Sequence, residues 1–173
     1  MKTVERLLIA AGIVFTAVLL TNACKDDDKD DQTTIIGTWQ LVESKADVKR
    51  VANATDTEEN LEAAIVNYIK VPINSRVSFS NTQLTLVYSI NEGENKSATC
   101  DYTLNDGTLS IVLPIDSPHT LLGSVDLKDN TLKVTLNSSS YLSLLQYFAG
   151  KDAAFKAKVD QIAEASIYFR LKR

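Results

Sequence analysis

The chain's one histidine, His119, stands in "DSPHTLL", three residues after Asp116 and two after Ser117. These are the residue types of a nucleophilic triad, in which a histidine takes the serine proton and a carboxylate orients the ring. A triad needs a mutual geometry that neighbours along one loop do not supply. His119 is therefore read as a loop residue without a catalytic part. Cys100, in "SATCDYTL", is the other nucleophile type. A reactive thiol needs a base or an electropositive neighbour. Here Ala98, Cys100, Tyr102 and Leu104 share one parity, which makes the thiol a small core hydrophobe. Glu58, Glu59 and Glu62 cluster in "DTEENLEAAI", where a solvated helix face accounts for them. With a single histidine, zinc-type ligand spacing lacks its parts, and "NEGEN" and "NDG" are turn chemistry, not phosphate loops. The sequence thus predicts no enzyme, no metal and no cofactor.

Behind these residues the dominant signal is period-two alternation. Strands are expected at "IGTWQLVES" (36–44), "SRVSFS" (75–80), "QLTLVYSI" (83–90), "KSATCDYTL" (96–104), "TLSIVLP" (108–114), "GSVDLK" (123–128), "TLKVTLN" (131–137) and "SIYFRLKR" (166–173). Asn, Asp and Gly tolerate positive φ, so "NDG" and "DN" read as tight hairpin turns. Two stretches read as helix. In "DTEENLEAAIVNYIK" (56–70), Leu61, Ile65, Tyr68 and Ile69 form one stripe, with Asp56 or Thr57 as cap and acidic residues in the first turn. In 140–165, Gly150 divides a short apolar helix from a second with Phe155, Val159 and Ile162 inward.

Eight antiparallel strands joined in sequence predict a mainly β fold, an up-and-down barrel with helical insertions after strand 1 and before strand 8. In such a meander successive connections alternate between the two ends. The long ones, carrying the helices, "NEGEN" and "IDSPHT", share one end, and the tight turns share the other with the chain's entry. Binding concentrates on long loops, so the helix-lidded end is the expected binding end.

The N-terminal region is of a different character. "MKTVER" precedes an uncharged apolar run from Leu7 to Leu20, the layout of a signal peptide. A membrane-spanning helix needs about 20 apolar residues, so residues 1–23 are expected to be cleaved. "LLTNAC" resembles the lipobox of bacterial lipoproteins, although Thr21 stands where an aliphatic residue is usual. The resemblance implies lipid attachment at Cys24, which leaves Cys100 without a disulfide partner. The seven residues after Cys24 are five aspartates and two lysines, so 24–32 reads as a solvated tether. Such an acidic run resembles the export signal of surface-exposed lipoproteins in some Gram-negative bacteria. The implied location is the outer membrane, with the periplasmic face and the cell surface both open as the side on which the domain lies.

Removing 1–23 takes two basic residues and one acidic from totals of 18 and 22, leaving 16 against 21 and a formal charge of −5. Nucleic acid is an unlikely partner for such a chain. Residues 33–173 are expected to form one monomeric domain. At its start, Gly37-Thr38-Trp39 resembles the G-x-W signature of lipocalins and of lipocalin-like domains in bacterial lipoproteins. In that superfamily the tryptophan closes the barrel base and a basic residue late in the last strand packs on it. The resemblance thus implies a base built from Gly37, Trp39 and either Arg170 or Arg173. The second lipocalin motif, a "TDY"-type turn, is not visible, and the long helical insertion before the last strand is unusual for lipocalins.

Two functions fit this pattern. One is a lipid-anchored envelope protein holding a small apolar ligand, with Leu61, Ile65, Tyr68, Tyr88, Tyr102, Tyr141, Leu145 and Phe148 as candidate pocket residues. The other is an interaction module whose barrel is filled by side chains and whose lidded end contacts a protein or glycan. Internal volume separates them: a cavity of ~300 Å³ or more favours a ligand, and a solid core with an apolar patch at the lid favours a partner.

Overall fold

A computed structural model describes residues 34–116 and 118–173. The expected leader over 1–23, Cys24 and the acidic tether over 24–32 lie outside the described residues, as does Ser117. Nine strands and three helices follow in the order β1 (Gly37–Arg50), α1 (Glu58–Tyr68), β2 (Ile69–Lys70), β3 (Arg76–Phe79), β4 (Gln83–Ile90), β5 (Lys96–Asn105), β6 (Thr108–Leu113), β7 (His119–Lys128), β8 (Thr131–Leu136), α2 (Ser138–Ala149), α3 (Ala153–Val159) and β9 (Ile162–Lys172).

The sheet closes. Antiparallel neighbours run β1-β3-β4-β5-β6-β7-β8-β9, and β9 returns to β1. The two-residue β2 is a stub on β4, so the barrel proper has eight strands. Closure satisfies the edge hydrogen-bonding groups that an open sheet would expose. The tight turns carry the chemistry that hairpins demand: Asp106 and Gly107 both have positive φ between β5 and β6, as a type I′ turn requires. The ends of the barrel differ as the meander dictates, with α1 lying between β1 and β3, and α2 and α3 between β8 and β9.

Four stretches depart from the sequence expectation, each for a local reason. First, β1 does not stop at residue 44 but reaches Arg50. Its pairing with β9 steps from Leu41/Leu171 to Glu43/Arg170, so Val42 is an extra residue. The bulge flips the inward parity from Trp39 and Leu41 to Ala46 and Val48, all four buried, and so hides the second half of the strand from a strict alternation test. Second, β7 begins at His119 and not at Gly123, so His119 is a strand residue paired with Leu113. Third, α3 ends at Val159 and β9 takes over from Ile162. Ile162 is buried under either periodicity, which is why the helical reading ran on to 165. Fourth, Ile69 and Lys70, read as the last helical residues, form β2.

The helices are capped by side chains where the chain enters them. Thr57, not Asp56, accepts the backbone N–H of Asn60 at α1, Asn137 accepts that of Ser140 at α2, and Asp152 accepts those of Ala154 and Phe155 at α3. Asp56 serves elsewhere: its carboxylate accepts from Lys158 Nζ at 3.0 Å and Gln161 Nε2 at 2.7 Å, stapling the entry of α1 to the end of α3. Leu61 and Ile65, on the inner stripe of α1, are fully buried, and the helix packs mainly on β1 and α3.

Candidate functional site

A cavity of about 170 Å³ occupies the barrel interior. All eight barrel strands contribute to its wall, from Leu41 on β1 and Phe79 on β3 round to Phe169 on β9. Register explains how the wall is built. Leu84 faces Cys100, Leu86 faces Ala98, Ile111 faces Leu121, and Leu136 faces Ile167, so inward residues meet in rows on neighbouring strands. The lid is one face of α2: Tyr141, Leu144 and Phe148, three and four residues apart, all line the cavity.

Among the described residues no charged side chain lines the cavity, and the lining residues with a polar side chain are Tyr88, Cys100 and Tyr141. Tyr88 is half-buried. Cys100 is buried, and burial followed by the neighbouring Asp101 carboxylate push its thiol up, away from the reactive thiolate. Tyr141 is 2% exposed, and its hydroxyl has no hydrogen-bond partner among the described residues. Burial raises its pKa far above the usual phenol value, so the hydroxyl keeps its proton.

Of the residues singled out in the sequence, Tyr88, Tyr141 and Phe148 therefore line the cavity. Leu61, Ile65, Tyr68, Tyr102 and Leu145 do not, and each has another use. The stripe of Leu61 and Ile65 is buried where α1 packs on β1 and α3, and Leu145 is fully buried on another side of α2 from the cavity stripe. Tyr68 stacks on Phe155 with ring centroids 3.6 Å apart, joining the end of α1 to α3. Tyr102 packs edge-on against Phe79, and its hydroxyl donates to the Ser80 carbonyl at 2.5 Å. The residues that the selection passed over, such as Leu86, Ala98, Val134 and Ile167, were marked by strand parity alone.

At the tight-turn end Trp39 is 1% exposed, and its indole N–H donates to the Ile35 carbonyl at 2.7 Å. The Arg173 guanidinium lies 4.2 Å from the centre of the indole and donates to the carbonyls of Thr34 and Ile36. Arg170 points elsewhere, pairing with Glu43 at 2.5 Å. Parity decides between the two: Leu171 faces inward, so Arg170 and Lys172 face out and Arg173 turns back over the base. Gly37, with φ of 131°, lies under the guanidinium, where a Cβ would come within 2.9 Å of Arg173 Nη2.

At the helical end, the residues that suggested a triad belong to a different arrangement. Asp116 accepts from Lys151 Nζ at 2.7 Å and from the Tyr147 hydroxyl at 3.3 Å. The hydrogen bond with Lys151 is the main reason that the Asp116 carboxyl lies below its ordinary range and Lys151 above its own. His119 packs its ring 4.8 Å from that of Tyr147. This cluster ties the β6–β7 connection to the end of α2. Among the described residues, no three His, Cys, Asp or Glu side chains are placed to hold a metal. Comparison of the chain with protein-family models, with curated proteins and with solved structures found no match.

Proposed function

We propose that this protein is a binding protein of the cell envelope, with a lipocalin-like barrel that holds one small, mostly apolar molecule. The observation that carries the reading is the cavity itself, walled by every barrel strand and, among the described residues, without a charged side chain. Its volume of about 170 Å³ falls short of the ~300 Å³ at which drug-sized pockets begin. It is close to the ~150 Å³ at which an apolar cavity stays dry and accepts benzene. The ligand is therefore compact, on the scale of one substituted ring or a short branched chain.

The G-x-W resemblance and the Trp39–Arg173 base support the lipocalin-like reading. The lipobox resemblance at Cys24 and the acidic run after it support lipid anchoring at the outer membrane. The test is denaturing extraction and mass spectrometry of the protein purified from its native envelope. A reproducible small molecule at near one-to-one ratio is the expected result. A cooperatively folded protein that carries none, and that takes up no member of a panel of small aromatic and branched aliphatic compounds, would overturn it in favour of a filled interaction module.

A further inference from the structure

We infer that the cavity takes its ligand as a monoanion, a compact carboxylic acid whose hydrocarbon body lies inside the barrel and whose carboxylate sits at the helical end between the Tyr88 hydroxyl and the Lys96 ammonium. The inference rests on the reading of the cavity as a ligand site and names the class of molecule that enters it.

Register places the two groups together. β4 and β5 pair Leu84 with Cys100, Leu86 with Ala98 and Tyr88 with Lys96. Directly opposed residues of an antiparallel pair point to the same face, and all of these but Lys96 line the cavity. Lys96 is thus the last member of an inward row, one place beyond the wall. The row changes character along its length, from hydrocarbon and a buried thiol toward the base to a half-buried phenol and then an exposed ammonium. A molecule with an apolar body and one polar end matches that order when its body goes in first.

Both groups are open to a ligand. The Tyr88 hydroxyl bonds to no described residue and, unlike that of Tyr141, is not one of the sealed polar atoms. The ion pairs among the described residues do not include Lys96. The wall is also incomplete beside them. β5 begins at Lys96, but its ladder with β6 begins at Asp101 and Val112, so residues 96–100 overhang β6 without a paired strand on that side among the described residues. The lining continues there into Leu113, Pro114 and Ile115, and Pro114 is exposed. A head group held at this rim stays in contact with water, which spares it the cost of burying a charge.

The charges present set the charge of the head. One ammonium neutralises one negative charge, and the phenol and the ammonium together offer a donor to each carboxylate oxygen. A phosphate monoester, with close to two charges, would lack its second cation: Lys151 is taken by Asp116, and Lys70, paired with Ser89, has the opposite parity. Glu92 and Glu94 in the β4–β5 connection are exposed, where salt screens their repulsion of an anion.

Calorimetric titration of the full-length protein with 3-phenylpropanoate and its neutral isostere 3-phenylpropanamide tests this. Wild type should bind the carboxylate more tightly than the amide. In Lys96→Met, which keeps an apolar stem and drops the charge, the ratio of the two affinities should fall about fivefold, the scale of a partly exposed ion pair. Lys128→Met makes the same change of net charge at the tight-turn end and should leave the ratio as it is. Tyr88→Phe should weaken both probes, because a phenol donates to a carboxylate and to an amide oxygen alike. A ratio unchanged in Lys96→Met, a ratio that falls as far in Lys128→Met, or a Tyr88→Phe protein that binds both probes as wild type does would overturn the inference, while binding of the amide upholds the binding reading. Failure of both probes to bind wild type would overturn the two together.

Discussion

Replacing Tyr141 by Phe removes one oxygen atom and leaves the ring where it is, so the consequence for the empty domain follows from that atom alone. The hydroxyl is buried and without a partner, a condition that costs roughly 1–3 kcal/mol. The variant loses the cost and leaves a void smaller than a methyl group, so it should be more stable than wild type by about 1 kcal/mol at pH 7. For a domain of this size that is a rise of roughly 3–5 °C in Tm. The difference should then grow with pH. Because burial holds the folded pKa above the unfolded value, the unfolded chain gives up this proton first, from about pH 10. Folding keeps the proton that the unfolded chain releases, so wild type loses stability as pH rises, by up to ~1.4 kcal/mol per unit for this one group. Burial also raises Tyr102, but that slope is common to both proteins and cancels in the comparison. Urea unfolding followed by circular dichroism at pH 7, 9, 10 and 11 measures the effect. A variant less stable than wild type at pH 7 would show that the hydroxyl has a partner in the folded protein, and a difference that stays constant above pH 10 would show that burial does not hold its proton; either result refutes the reasoning.

Three further outcomes follow from particular contacts. Gly123→Ala should destabilise by about 2 kcal/mol or more in urea unfolding, because its Cβ would lie 2.3 Å from the Thr135 carbonyl oxygen and the β7–β8 backbone must move. Arg173→Ala should cost about 1 kcal/mol, uncover the chain's one tryptophan and shift its fluorescence to the red, whereas Arg170→Ala should leave the emission where it is. Asp56→Asn should flatten the acid limb of the stability curve. Lys158 and Gln161 hold the Asp56 pKa below its ordinary value, so the carboxylate's contribution is complete at neutral pH and is lost as pH falls through that lowered pKa.

The strands were legible because a barrel with a buried inside writes period two into its sequence, and the turns were legible because positive φ selects Asp and Gly. What stayed hidden had broken the period without breaking the strand. Val42 inserts one residue and moves the inward set from Trp39 and Leu41 to Ala46 and Val48. Leu121 and Leu122 are adjacent apolar residues facing opposite ways, one buried and one exposed, after a proline that suggested a loop. The site shows a similar limit. Tyr88 sits on a strand whose inward parity carries it to the cavity, and Tyr141 and Phe148 share the inward stripe of their helix. Leu61 and Ile65 form an equally clear stripe, yet theirs packs against β1 and α3. Amphipathicity states that a helix face is buried; it does not state against what.

The route into the cavity follows from the same construction. Strand ladders run round the full circle, and the β1–β3 ladder spans Gly37–Gln40 at the base end. Trp39 and Arg173, with short turns around them, occupy the base. Of the two ends, the helical one is therefore the way in for any molecule the cavity takes. There α2 is held at its start, where Asn137 N–H donates to the Leu122 carbonyl and Ser140 Oγ accepts the Leu122 N–H at 3.0 Å. Its other end is tied to the β6–β7 connection through the solvent-exposed Lys151–Asp116 pair, and such pairs are weak in water and screened by salt. The backbone bonds at the start of α2 fix the lid, and the surface ion pair is the more readily broken. The exposed ion pair and the bonds that hold the start of α2 are thus at opposite ends of the helix.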